Sequence, residues 1–333
     1  MKALARTIVV ALAEEFGPQE LLRRLADPFW FQSLGCVLAF DWHSSGLTTT
    51  LTGVLKQALR EADVGVYAAG GKGARALGTP GELLEAAERK GFDPSGLLYA
   101  SRMCAKVDNA AVQDGFSLYH HVMFFTPQGQ WAVLQQGMNP ALKMARRYHW
   151  LSAALKGGFV HEPHTGVCSD VRTRTLNMVA SESAPSRAAV AELARERPEG
   201  LLRHLRMPRR HQVLPQLDIE PRRFLRTMQV VYERQPGDFE ALLQVRGVGP
   251  RTVRALSLIA ELLYGSPPSW RDPARYSYAL GGKDGTPFPV DRAAYEQTIQ
   301  VMERAIGGAR GLSRTERLQA LRRLHNISGG VFR

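Results

Sequence analysis

The densest run of chemically capable side chains is Lys106-Val107-Asp108-Asn109-Ala110-Ala111-Val112-Gln113-Asp114-Gly115-Phe116-Ser117-Leu118-Tyr119-His120-His121. It holds two carboxylates, a lysine and a pair of adjacent histidines, a set that suits a phosphodiester in two ways. In the first, a histidine attacks phosphorus, forms a phosphohistidine and needs no metal, while a second group protonates the leaving oxygen. In the second, Asp108 and Asp114, joined by Asp41, collect Mg²⁺ or Mn²⁺, which activates a water. Lys72 and Lys106 are the candidate phosphate clamps. Taken singly, each Asp fits a turn or a cap, and the histidines fit one core and one solvated position; the cluster as a set carries the catalytic reading. Side chains alternate along a strand, so Tyr119 and His121 share a face and His120 takes the other. At most one of the two histidines therefore faces any given site.

A second constellation is Val245-Arg246-Gly247-Val248-Gly249-Pro250-Arg251-Thr252-Val253, set between two amphipathic runs. It reads as a helix-hairpin-helix. Gly247 and Gly249 keep the turn bare, so a phosphate can approach peptide N–H groups at the start of the second helix, where the dipole favours an anion. Arg246, Arg251 and Arg254 add charge and Thr252 adds a hydroxyl donor. Such a turn grips the backbone of a nucleic acid and reads no bases. The bland alternative is a tight turn between two helices with incidental glycines.

The elements that must position these residues are partly legible. Residues 5–25 have helical spacing. The apolar run 36–40 predicts a buried strand ending at Asp41-Trp42-His43, with Asp41 and His43 on one face of its end. Residues 47–60 return to a helix with Leu51, Val54, Leu55, Ala58 and Leu59 on one side. A short strand at 64–68 then completes a β-α-β unit, which predicts a parallel or mixed sheet. Residues 117–125 and 130–135 are strands joined by the turn Thr126-Pro127-Gln128-Gly129. The expected fold class is α/β, α+β overall: a mixed sheet with helices, followed by an all-α helix-hairpin-helix domain. The expected domains are a catalytic α/β unit at 1–155, an irregular connector at 156–187, a DNA-binding helical unit at 188–310, and a basic helix and tail at 311–333.

Within the connector, His161, His164 and Cys168 offer transition-metal ligands. Pro163 makes the segment extended and no fourth ligand lies nearby, so a loop His and Glu reaching into the active site is preferred.

Bulk charge points the same way as the turn. The 333 residues carry 43 Lys and Arg against 31 Asp and Glu, a net +12. That excess favours a polyanionic partner, with DNA as the first candidate, and a salt-dependent affinity. Three scattered cysteines exclude a disulfide framework, no apolar run reaches membrane-spanning length, and residues 1–13 lack a signal-cleavage pattern. A cytoplasmic protein with no membrane partner is expected.

Three resemblances sharpen these readings. The layout around His121 is similar to the phospholipase D-like nucleases, but Met123 stands where their lysine would, Gln128 where their acid would, and Gln136-Gly137-Met138-Asn139 only approximates their turn. A single histidine half-site of that kind implies a homodimer. Base-excision glycosylases follow their helical hairpin with an Asp that opens the next helix. Asp291, after Pro287-Phe288-Pro289-Val290, is similar, though the gap is longer; as an N-cap it needs no further explanation. The widest resemblance rests on Asp27-Pro28-Phe29-Trp30-Phe31-Gln32, Phe40-Asp41-Trp42-His43, Lys106-Val107-Asp108-Asn109, Leu118-Tyr119-His120-His121, Gln135-Gln136-Gly137-Met138-Asn139, Arg147-Tyr148-His149-Trp150, Glu162-Pro163-His164 and Gly281-Gly282-Lys283-Asp284-Gly285. Over nearly its whole length the chain resembles the uncharacterised family numbered 763 among domains of unknown function. That resemblance implies a DNA-processing role and an extra Gly-, His- and Pro-rich segment before Met1.

The expectation is a DNA-processing or repair enzyme, a nuclease with His120 or His121 as nucleophile or base and Asp41, His43, Asp108, Asp114 and Lys106 around it. A glycosylase using Asp291 and a non-catalytic DNA-binding protein are the rivals.

Overall fold

The computed structural model describes residues 2–38, 46–205, 220–277, 300–304, 306–308 and 313–331. Helix α1 (Lys2–Leu25) changes direction at Gly17-Pro18, and α2 (Pro28–Val37) follows at once. The Asp27 carboxylate caps α2 by accepting from the Phe29 and Trp30 N–H groups at 2.8 and 2.9 Å, and Pro28 occupies the first turn. Here the sequence expectation fails: Cys36 and Val37 end a helix and do not open a strand. Five apolar residues cannot by themselves tell a buried strand from a buried helix end, and the Asp-Pro cap upstream decides it.

Helix α3 (Gly46–Ala62) buries Leu47, Leu51, Val54, Leu55, Ala58 and Leu59, the stripe its spacing predicts. Strand β1 (Tyr67–Lys72) comes next, then the short α4 (Ala74–Leu77), α5 (Thr79–Lys90) and α6 (Ser95–Lys106). A wide π turn, Val107–Ala111, carries α6 into β2 (Val112–Gln113). Strands β3 (Ser117–Phe125), β4 (Trp131–Asn139), β5 (Met144–Leu151) and β6 (His164–Cys168) build a five-stranded sheet in the order β1-β3-β4-β5-β6. All pairings between these strands are antiparallel. With Cys36 and Val37 in a helix and every pairing of the five strands antiparallel, the expected parallel β-α-β unit is not found among the described residues, and the combination of helices with a sheet survives as an antiparallel arrangement. The stretch 156–187 is also more ordered than its composition suggests. It supplies edge strand β6 and β7 (Leu176–Asn177), which pairs with β2.

The sheet has helices on both faces. Val122, Phe124, Ala132 and Leu134 join the core of α1, α2 and α3, whereas Met123, Phe125, Val133, Tyr148 and Trp150 face the other way. That second core runs without interruption through α6 into α7 (Ala184–Leu193), α9 (Pro221–Arg234), α10 (Phe239–Gln244) and α11 (Pro250–Tyr264). Helix α8 (Pro198–Leu205) lies between α7 and α9 in the chain, and α12 (Arg314–Val331) closes the described residues. No helix among them is long and apolar enough to cross a membrane.

Gly70 in β1 has φ +100°, and a Cβ there would stand 2.2 Å from the His121 carbonyl oxygen. Gly70→Ala should cost about 3 kcal/mol or more, read as a shift in the urea unfolding midpoint at an unchanged slope. Unchanged stability would mean that β1 and β3 do not approach as described.

Candidate active site

The π turn aims one carboxylate into the interior between sheet and helices. Asp108 is fully buried and accepts three hydrogen bonds, from Gln135 Nε2 at 2.5 Å, Trp150 Nε1 at 2.9 Å and His164 Nε2 at 2.5 Å. Those donors stand on β4, β5 and β6, so three neighbouring strands converge on one anion. The His164 ring meets Trp150 edge to face at 4.4 Å. Its Nε2–H donates to Asp108, so Nδ1 is the ring nitrogen left free of that bond. His164 also lines a cavity of about 220 Å³, together with Arg172, Arg271, Arg275, Glu162 and Glu182. A histidine held by a buried carboxylate at the wall of a cavity that carries both arginines and carboxylates is chemically able to act as a general base or a nucleophile.

The same network fixes His121. Gln135 spends its amide N–H on Asp108, so its carbonyl oxygen must accept from His121 Nδ1, 2.9 Å away. Ser101 Oγ then donates to His121 Nε2 at 2.9 Å. Both ring nitrogens are engaged, and burial lowers the pKa of the ring. Asp108 and His121 thus belong to one hydrogen-bonded chain, and His164 is its outlet.

Asp114 occupies the next rung along β5. It accepts from Arg146 Nη1 at 2.9 Å, Tyr148 Oη at 2.6 Å and the Phe116 N–H at 3.0 Å. Arg146 also reaches Asp272, in the wall of the same cavity, at 2.7 Å. Burial alone would lower the Arg146 guanidinium, but the Asp114 and Asp272 charges outweigh it and raise it. As placed, Asp108 and Asp114 hold N–H and O–H donors, and among the described residues no three His, Cys, Asp or Glu side chains gather around a point that would hold a metal ion.

His120 faces α3, as strand alternation requires. The Thr52 hydroxyl gives its proton to the Thr48 or Thr49 carbonyl, so its oxygen accepts from His120 Nε2 at 2.9 Å. Burial first, then His121 and Lys72, push the His120 pKa down to about 4. Asp41, His43 and Asp291 lie outside the described residues.

The glycine turn is tied to the carboxylate's own segment. Helices α10 and α11 are joined by residues 245–249, in which Gly247 takes φ +94°. Lys106 Nζ donates to the Val248 carbonyl at 2.6 Å, and burial lowers its pKa. Gln113 donates to the Pro250 carbonyl at 2.8 Å and accepts from Arg254 Nε at 2.9 Å. Segment 106–113 therefore carries Asp108 on one side and holds the turn on the other. Arg246 and Arg251 are exposed, and Thr252 is buried.

Of the residues the sequence singled out, Asp108 and His121 share one buried chain through Gln135, Asp114 is buried in a separate network with Arg146 and Tyr148, His120 and Lys72 border a separate groove, and Lys106 meets the turn. Sequence reasoning missed Ser101, Gln135 and Trp150 as site residues, although alternation along β4 and β5 puts Gln135 and Trp150 on the His121 face.

His120 stays neutral in the fold down to about pH 4, whereas an unfolded histidine protonates near 6.5. The stability it contributes is therefore present above pH 6.5 and lost as pH falls toward 4. Urea unfolding at pH 7 and pH 4.5 should differ by about 2–3 kcal/mol from this group. His120→Gln should reduce that difference by a similar amount; an unchanged difference refutes the assignment.

No curated protein and no solved structure matches the chain. A family model described as protein of unknown function (DUF763) matches residues 1–290. That span takes in the π turn, the sheet, His164, the cavity wall and the glycine turn, and the chain belongs to this family.

Proposed function

We propose that the protein is a nucleic-acid-processing phosphodiester hydrolase, acting through the Asp108–His164 pair, with the α10–α11 turn working as a helix-hairpin-helix that holds the backbone of the strand. The observation that carries the reading is the buried Asp108 carboxylate oriented on His164 beside Arg172, Arg271 and Arg275. In this scheme His164 Nδ1 takes the proton of a water that attacks phosphorus. Asp108 stabilises the imidazolium that results, the arginines offset charge building on the phosphoryl oxygens, and the leaving oxygen is protonated from solvent. The alternative within the same site is direct attack by Nδ1 to form a phosphohistidine, which water then hydrolyses. The exposed Arg246 and Arg251, with the bare Gly247 and Gly249, would face the backbone, whereas the buried Thr252 and the Gln113-bound Arg254 that the sequence also offered would support the turn from behind. DNA is the proposed substrate, and the net charge of +12 supports that polyanion.

The test incubates purified protein with labelled single- and double-stranded DNA in Mg²⁺, Mn²⁺ or EDTA, with a parallel set carrying uracil, hypoxanthine or an abasic site. Cleavage of plain DNA is the expected outcome, and the EDTA lane separates histidine chemistry from a Mg²⁺- or Mn²⁺-dependent route. His164→Gln keeps a donor toward Asp108 and removes the base; it should lower the cleavage rate by about 10²–10⁴. Full activity in that variant rejects the pair. Strand breaks that appear only after alkali, confined to the modified base, would transfer the reading to a glycosylase using Asp291. Binding without any product would leave a non-catalytic DNA-binding protein.

The turn makes its own prediction. Arg246→Ala should weaken DNA binding about equally for unrelated sequences and reduce the slope of log affinity against log salt by about one. A sequence-dependent loss, or none, removes the turn from the interface.

A further inference from the structure

A second depression wraps the β1 edge of the sheet and shares no lining residue with the cavity beside His164. It holds about 530 Å³, between α3 and α5 along edge strand β1, with His120 in its wall. That is room for a mononucleotide-sized ligand. Five cations line it, Lys56, Arg60, Lys72, Arg75 and Arg89, against the carboxylates of Glu82 and Glu85. Lys56 is already paired with Glu82. Among the described residues none of the other four cations forms an ion pair with a carboxylate, and all four are exposed.

An edge strand invites an added strand, but this one is blocked. Lys56 Nζ donates to the Gly70 carbonyl at 2.8 Å, and the Gly70 N–H donates to Glu82 at 3.1 Å. The outward donor and acceptor at the middle of β1 are consumed, so the groove suits a compact ligand and not a peptide in strand form.

His120 forms part of the groove floor. Its Nε2–H is committed to Thr52, so Nδ1 carries the lone pair, and among the described residues nothing donates to this buried atom.

We propose that this groove binds a phosphate monoester, carried by a nucleotide or by the phosphorylated end of a nucleic-acid strand, with Lys72 and Arg75 on the phosphoryl oxygens and Arg60 and Arg89 adding to the field. The site is distinct from the Asp108–His164 cavity. Its test reads binding, so it stands or falls whether or not cleavage is observed.

The experiment measures binding to the full chain by calorimetry, using inorganic phosphate, adenosine 5′-monophosphate and adenosine, then 5′-phosphorylated and 5′-hydroxyl oligonucleotides of one sequence. The monophosphate should bind at least about tenfold tighter than adenosine, and inorganic phosphate should compete with it. Lys72→Gln/Arg75→Gln should lose at least about tenfold of the monophosphate affinity, since each charge-assisted contact contributes appreciably. Both residues are exposed, so the fold should tolerate the change, with thermal unfolding as the control. Preference for the 5′-phosphorylated oligonucleotide over both its 5′-hydroxyl counterpart and the free nucleotide identifies a strand end as the source; equal binding of free nucleotide and strand end identifies the monoester alone. Adenosine binding as tightly as its monophosphate, absence of binding by every phosphate probe, or unchanged affinity in the double variant each overturns the proposal.

Discussion

A carboxylate with no exposed surface is the constraint around which this structure is arranged. An ionised Asp108 in an apolar interior would cost several kcal/mol unless its oxygens were saturated by donors. The donors come from Gln135, Trp150 and His164, respectively 27, 42 and 56 residues further along the chain. Satisfying one charge therefore requires β4, β5 and β6 to be in register side by side, and the π turn to offer Asp108 to them. The order of the sheet and the local unwinding at the end of α6 are both needed for that single anion. Gln135 passes the constraint on, because orienting its amide toward Asp108 selects the His121 tautomer and, through it, the direction of the Ser101 hydroxyl.

The antiparallel sheet divides the molecule into two chemical compartments. On the α6 face the polar groups are nested in the larger core and hydrogen-bonded to one another, leaving His164 as their contact with a cavity. On the α3 face His120 is held by a single threonine beside an open basic groove. One strand, β3, provides a histidine to each compartment from consecutive positions. The smaller buried network of Arg146, Asp114 and Asp272 then fastens the sheet to the segment that forms the cavity wall.

Local signals were enough for features set by periodicity. The apolar stripe of α3, the β3–β4 hairpin, the opposite facing of His120 and His121, and the paired helices around residues 245–249 all follow from spacing and turn chemistry. Features set by partners distant in sequence were not legible. Nothing local to His164 announces Asp108 or Trp150, and a five-residue strand inside a Gly-, Pro- and Thr-rich stretch carries too little periodicity to stand out. Cys36 and Val37 misled for a different reason: they close a helix whose start is set by the cap at Asp27, ten residues before Val37. Gln135 and Trp150 read as ordinary strand residues until the buried charge they serve is in view.

The three hydrogen bonds from Lys106, Gln113 and Arg254 bear on how a bound chain would be delivered. When a binding element hangs on a flexible linker, the local concentration at its catalytic partner follows polymer statistics and falls as the linker lengthens. Here the glycine turn and the Asp108 segment share a continuous apolar core and direct polar contacts. If the turn holds a strand as proposed, that strand would be presented at a fixed offset from the Asp108 segment, as a ruler presents a mark, and its effective concentration there would be a property of packing instead of tether length.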